Sequence, residues 1–131
     1  MGKARNLANL IADGAIGTTE IADGAVTQQK IASAIIPVGV GQTWQNLTAS
    51  RASNVTYTNT TGRPIVVSVT AVNLDRVRLN LVIDGLEVAR QAAHEVSGNT
   101  DFACVTSVVP AGSTYLSNID SGSLEHWREL R

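Results

Sequence analysis

Cysteine is almost absent: Cys104 stands alone in 131 residues, so no intrachain disulfide staples the fold. Within Phe102-Ala103-Cys104-Val105 it is expected to be a small buried hydrophobe, since free cysteine is among the most buried residue types. A reactive thiol needs an electropositive, partly exposed setting, and no sequence neighbour supplies one. Aromatics are equally scarce, being limited to Trp44, Tyr57, Phe102, Tyr115 and Trp127. Neither sign of charge prevails: the net charge is -1, which gives no electrostatic reason to expect nucleic acid as a partner. Long apolar runs are missing too. After Met1-Gly2-Lys3-Ala4-Arg5, Asp13, Gly14 and Gly17 interrupt the first apolar stretch. That stretch fits neither a secretory leader nor a spanning helix. The expectation is a soluble chain made in a reducing cytoplasm, with no membrane insertion. The Asn-x-Ser/Thr triplets at Asn46, Asn54 and Asn59 then carry no glycan.

A repeat fills the N-terminal third. Ile11-Ala12-Asp13-Gly14-Ala15-Ile16 recurs ten residues later as Ile21-Ala22-Asp23-Gly24-Ala25-Val26, and in degraded form as Ile31-Ala32-Ser33-Ala34-Ile35-Ile36. Ten is a poor multiple of the helical turn and does not match a heptad. Asp-Gly is a strong turn signal, because glycine accepts positive φ and aspartate bonds its own backbone. Each unit therefore reads as an extended piece, a tight turn and a polar spacer. So short a segment, with no aromatic, disulfide or metal-ligand cluster, needs association to fold. Three chains about one axis would stack Ile11, Ile16, Ile21, Val26, Ile31 and Ile36 as apolar layers. A flexible linker is the alternative, but a linker has no need of regularly recurring β-branched residues. The expected division is a trimeric stem over 1–37 and a β-sandwich or jelly-roll head over 38–131.

Strand patterns dominate the second part. Ile65-Val66-Val67-Ser68-Val69-Thr70-Ala71 alternates, as do Val77, Leu79, Leu81 and Ile83 against Arg78 and Asn80, and period two marks half-buried strands. Asp84-Gly85 predicts a type I′ hairpin setting Ile83 opposite Leu86 and Leu81 opposite Val88. Arg90 would then face inward opposite Leu79, so the regular hairpin is expected to end or bend there. Further strands are predicted at 55–59, 102–109 and 115–119, with turns at Thr60-Thr61-Gly62-Arg63-Pro64 and Pro110-Ala111-Gly112-Ser113. Short strands without an intervening amphipathic helix point to a sandwich or jelly roll. In Leu124-Glu125-His126-Trp127-Arg128-Glu129-Leu130 the apolar residues lie three apart, which permits a helical turn or two; a strand is the other possibility.

Catalytic patterns are not found. His94 and His126 lack zinc-site spacing, no serine sits in a nucleophile elbow, and Gly39-Val40-Gly41 is an incomplete glycine pattern. The acids are scattered, without a recognisable pair for glycoside chemistry. The chain is expected to be non-enzymatic, with no catalytic residue, metal or cofactor. Trp44, Tyr115 and Trp127 are suited to stacking on sugars, but with so few aromatics the core or a chain interface has first claim on each. Polar loops around Asn73-Leu74-Asp75-Arg76 and over 94–101 are the candidate recognition elements. Asn73, Asp75, Arg76, His94 and Asn99 are their candidate contact residues, with plain solvated turns as the alternative.

The block Gly41-Gln42-Thr43-Trp44-Gln45-Asn46-Leu47-Thr48-Ala49-Ser50-Arg51 and the run from Tyr57-Thr58-Asn59 through Gly62-Arg63-Pro64-Ile65 resemble C-terminal domains of tailed-bacteriophage fibre proteins. So do Val109-Pro110-Ala111-Gly112-Ser113-Thr114-Tyr115 and the ending Trp127-Arg128-Glu129-Leu130-Arg131, and the Ile-Ala-Asp-Gly-Ala-Val decad is similar to repeats of fibre stems. The resemblance implies a homotrimer on the virion. It implies attachment through the N-terminus to tail, neck, head or baseplate proteins, and a β-structured head that meets host-cell polysaccharide. A purely architectural fibre or adaptor is the other role it allows. Long fibres carry a larger anchor and shaft than this chain has.

Overall fold

The computed structural model describes Thr27 and residues 36–74, 76–94 and 99–131. The stem positions Ile11, Ile16, Ile21, Val26 and Ile31 lie outside the described residues, as does Asp75. Apart from Thr27, everything described belongs to the unit Ser33–Arg131.

The described residues of that unit form a two-sheet antiparallel sandwich of eight strands: β1 (Trp44–Asn46), β2 (Tyr57–Thr58), β3 (Ile65–Asn73), β4 (Val77–Ile83), β5 (Leu86–Ala93), β6 (Asp101–Val109), β7 (Thr114–Ser121) and β8 (Ser123–Leu130). One sheet has the order β1-β8-β3-β6 and the other β2-β7-β4-β5. First pairs with last, second with seventh, third with sixth and fourth with fifth, which is the pairing of a jelly roll. The predicted all-β head is therefore present, and its strand order is the jelly-roll one.

Alternation builds the core. Ile65, Val67 and Val69 of β3 and Leu79 and Leu81 of β4 are fully buried, with Trp127 of β8 between the sheets. Each such side chain contributes about 1.5–3 kcal/mol by leaving water. Hydrogen bonds from outside each ladder close two edges as well. Residues 47–56 form a strap that bonds Leu47 N to Trp127 O on one sheet and Asn54 N to Ser117 O on the other, at 2.8 Å each. At the opposite edge Gln91 Oε1 accepts the Cys104 backbone N–H at 2.7 Å, giving an edge donor of β6 a partner from the facing sheet.

Several expectations need correction. The Asp84-Gly85 turn forms with positive φ at both residues (49° and 80°) and Ile83 opposite Leu86. Leu81, however, pairs with Ala89 rather than Val88, because the register shifts after Val82↔Glu87. The extra residue is a bulge at Val88. It turns Arg90 outward opposite Asn80 and lets the pairing run on to Val77↔Ala93, so the hairpin does not stop at Arg90. A second bulge, at Glu125 between Thr70↔His126 and Ala71↔Leu124, explains the three-residue apolar spacing of the C-terminal segment. That segment is a strand: the bulge puts Leu124 and Trp127 on the core side, with Leu130 outward. Cys104 is exposed, not buried. In Phe102-Ala103-Cys104-Val105 both faces are apolar, and the pleat turns Ala103 and Val105 inward.

Candidate functional site

The sandwich has two unlike ends. At the first, the incoming chain is tied down. Gln42 is buried; its Nε2 donates to Pro64 O at 2.9 Å and Leu130 O at 3.3 Å, while its Oε1 accepts from Gly39 N at 2.6 Å. Arg63 Nη1 and Nη2 donate to Val40 O and Gly41 O at 3.0 and 3.2 Å. Thr43 and Arg131 exchange backbone bonds of 3.1 and 3.2 Å. Beside them Asn59 is completely buried. Its Nδ2 donates to Arg63 O, Val109 O and Pro110 O at 2.8–3.1 Å, and its Oδ1 accepts from the Thr61 backbone N and hydroxyl. One amide thereby joins the loop before β3 to the turn after β6. Sequence reasoning passed over Gln42 and Asn59; their only signal was position within the recognised blocks.

The most concentrated chemistry lies inside. The side chain of Glu129 has no exposure and pairs with Arg51 (Nε to Oε1, 3.0 Å) and Arg131 (Nη1 to Oε2, 3.3 Å). Tyr115 Oη and Trp127 Nε1 donate to Oε1 at 2.8 and 3.0 Å. Tyr57 packs edge-on to Trp127 with centroids 5.7 Å apart, and the Arg51 guanidinium lies 4.4 Å from the Tyr57 ring centre. Desolvation works against the Arg51 charge, but the hydrogen bond and charge of Glu129 hold its pKa above the ordinary value. Burial, followed by donation to Glu129, pushes the Tyr115 hydroxyl up to about 12. A carboxylate filled by donors and sealed from solvent has no room for a substrate; it ties the strap, the last strand and the second sheet together. Tyr115 and Trp127 are thus core residues, whereas Trp44 is 55% exposed on β1.

Of the predicted recognition residues, Asn73, Arg76, His94 and Asn99 gather at the other end, where β3 meets β4, β5 leads towards β6, and β7 turns into β8. Asn73 is the β3 partner of Asp101, and Arg76 precedes and His94 follows the members of the last β4–β5 pair, Val77↔Ala93. Arg76, His94 and Asn99 are exposed. Asn73 is engaged internally: its Nδ2 donates to Arg76 O and Ser121 Oγ, and its Oδ1 accepts from Leu74 N. It shapes the turn rather than offering a free amide. A shallow recess of about 430 Å³ opens beside it, lined by Val72, Asn73, Leu74, Thr100, Gly122 and Ser123. Gly122 has φ +108°, and a Cβ there would sit 2.6 Å from Val72 O, so the β7–β8 turn can pass this close only as glycine. Among the described residues no three His, Cys, Asp or Glu are grouped to hold a metal ion.

Fold and site together define a jelly-roll head, braced where its chain arrives and bearing loops at the far end. No family model, curated protein or solved structure matches the chain.

Proposed function

We propose that the protein is a homotrimeric fibre subunit of a tailed-phage virion. In this reading residues 1–37 form the stem and attachment segment, and the head contacts the host-cell surface. The observation that carries the reading is the polarity of the head. The chain arrives at one end, fixed by Gln42 and Arg63, while Arg76, His94 and Asn99 stand exposed at the other. A domain mounted on a stem needs that arrangement to present loops outward. Three copies would raise the avidity of weak contacts to a repetitive polysaccharide.

The test is binding of labelled full-length protein to bacterial cells and to a glycan array, with competition against phage infection. Binding and competition are expected; blank results in both would remove the adhesive role. A purely architectural neck, head or baseplate fibre is the second reading. It is favoured by the internal engagement of Asn73, which leaves the far-end turn with one polar group fewer for a ligand. An architectural subunit would not compete with infection.

A further inference from the structure

The outer face of the β1-β8-β3-β6 sheet carries a second recess, away from the far-end turns. It holds about 390 Å³ and is lined by Trp44, Ser68 and Arg128, within the range of about 300–1,000 Å³ usual for small-molecule sites. Register explains why the three meet. Trp44 pairs with Leu130, and Arg128 lies two residues back along β8, paired with Ser68 of β3. Two residues make one full pleat, so all three side chains rise from the same face. Trp44 and Arg128 stand diagonally on neighbouring strands, with Ser68 one strand farther in.

Each of the three offers an unused group. Trp44 is 55% exposed. Among the described residues the one cation–π contact is Arg51 over Tyr57, so Arg128 does not cover the Trp44 indole. Arg128 is exposed, and its guanidinium has no ion pair or hydrogen bond among the described residues. The carboxylates next to it in sequence are engaged elsewhere: Glu129 with Arg51 and Arg131, and Glu125 with His126 at 3.7 Å. Ser68 Oγ accepts from Thr106 Oγ1 at 3.0 Å and otherwise meets only the Cys104 sulfur, at 3.7 Å. An open aromatic face, an uncompensated cation and a hydroxyl therefore border one recess.

From this we infer, resting on the host-surface reading above, that the recess binds a carboxylated pyranose of a cell-surface polysaccharide. The indole takes the apolar face of the sugar ring. The guanidinium fork matches a planar carboxylate with two parallel N–H bonds, and Ser68 meets a ring hydroxyl. An acidic peptide fits less well. Strand addition needs a free ladder edge, whereas this recess lies across β1, β8 and β3. The sheet face thereby adds a contact surface to the far-end loops, one whose polar groups are not spent on the fold as those of Asn73 are.

The experiment is an array of bacterial polysaccharides, carboxylated and neutral, probed with labelled full-length protein and with Trp44→Ala and Arg128→Gln. Signal is expected on carboxylated polymers and should fall about tenfold or more in each variant. Carboxyl-reduced forms of the same polymers should hold the wild type as weakly as the intact polymers hold Arg128→Gln. Bound polymer should also shield Trp44 from acrylamide quenching, since Trp127 is already sealed. Both substituted positions are exposed, and unchanged melting temperatures are the check on their folding. Signal that is equal on intact and reduced polymers, or indifferent to both substitutions, overturns the inference and leaves the host-surface reading standing. An array blank for carboxylated polymers overturns it as well, and binding of the labelled protein to cells then decides the host-surface reading separately.

Discussion

The Nε of Arg51 lies 3.0 Å from Oε1 of Glu129, joining a loop outside the sheets to the inner face of the last strand. Removing one partner of a buried pair strands the other charge without solvent, at a cost of about 3–5 kcal/mol. Arg51→Ala is therefore expected to lower unfolding stability by that order, partly offset by Arg131, which also reaches the carboxylate. Glu129→Gln keeps the shape but loses the charge and one acceptor, and should cost less than Glu129→Ala. Urea denaturation of the variants checks the order.

Tyr115 makes the head sensitive to alkali. Its hydroxyl is pushed up to about 12 from an unfolded value near 10. A group raised in the folded state contributes stability that is complete below the unfolded pKa and is lost as pH rises through the folded one. Stability should fall between pH 10 and 12, by about 2–3 kcal/mol in total. Tyr115→Phe should flatten that decline while starting from a lower value at pH 7. Denaturant midpoints measured from pH 8 to 12 give both curves.

At Asn59 the test is isosteric. Asn59→Asp replaces an amide that donates to three carbonyls with an acceptor facing them. Buried, unsatisfied and repulsive, it should cost more than Asn59→Ala, which loses about 2–4 kcal/mol. A thermal melt in which Asp equals or exceeds wild type would show that the amide is not the brace described.

Two glycines separate backbone strain from collision. Gly85 has φ +80° and open space around a Cβ, so Gly85→Ala carries only the left-handed cost of about 1–2 kcal/mol. Gly122→Ala adds contact with the Val72 carbonyl and should be the more damaging, displacing the turn beside the far-end recess. Melting temperatures of the pair, with amide exchange at Val72 and Ser123, distinguish the two effects.

Much of the head was legible in the residues because β-strands advertise themselves locally. Asp84-Gly85 set a hairpin turn, and the alternation in β3 and β4 marked Ile65, Val67, Val69, Leu79 and Leu81 as core. Scarcity gave the core or a chain interface first claim on Trp44, Tyr115 and Trp127 alike; Tyr115 and Trp127 lie in the core, whereas Trp44 is exposed. The bracing residues Gln42 and Asn59 were not legible, since their partners are backbone carbonyls that the fold brings close: Pro64 and Leu130 for Gln42, Val109 and Pro110 for Asn59. The far-end candidates emerged as loop residues, but Asn73 proved to be a turn builder because Ser121 arrives beside it from β7.

By itself the sequence determined the strand class, the position of its tightest turn and the division between a repeating N-terminal segment and a strand-rich remainder. These depend on steric preference and period-two burial, which act between near neighbours. Tertiary structure alone decided the strand order, the bulges at Val88 and Glu125, the outward Cys104 and the inward Glu129. An apolar run such as Phe102 to Val105 offers two usable faces, and a charged residue such as Glu129 can be buried only when Arg51, Arg131, Tyr115 and Trp127 converge on it. Which face turns inward, and whether the donors meet, depends on segments far apart along the chain.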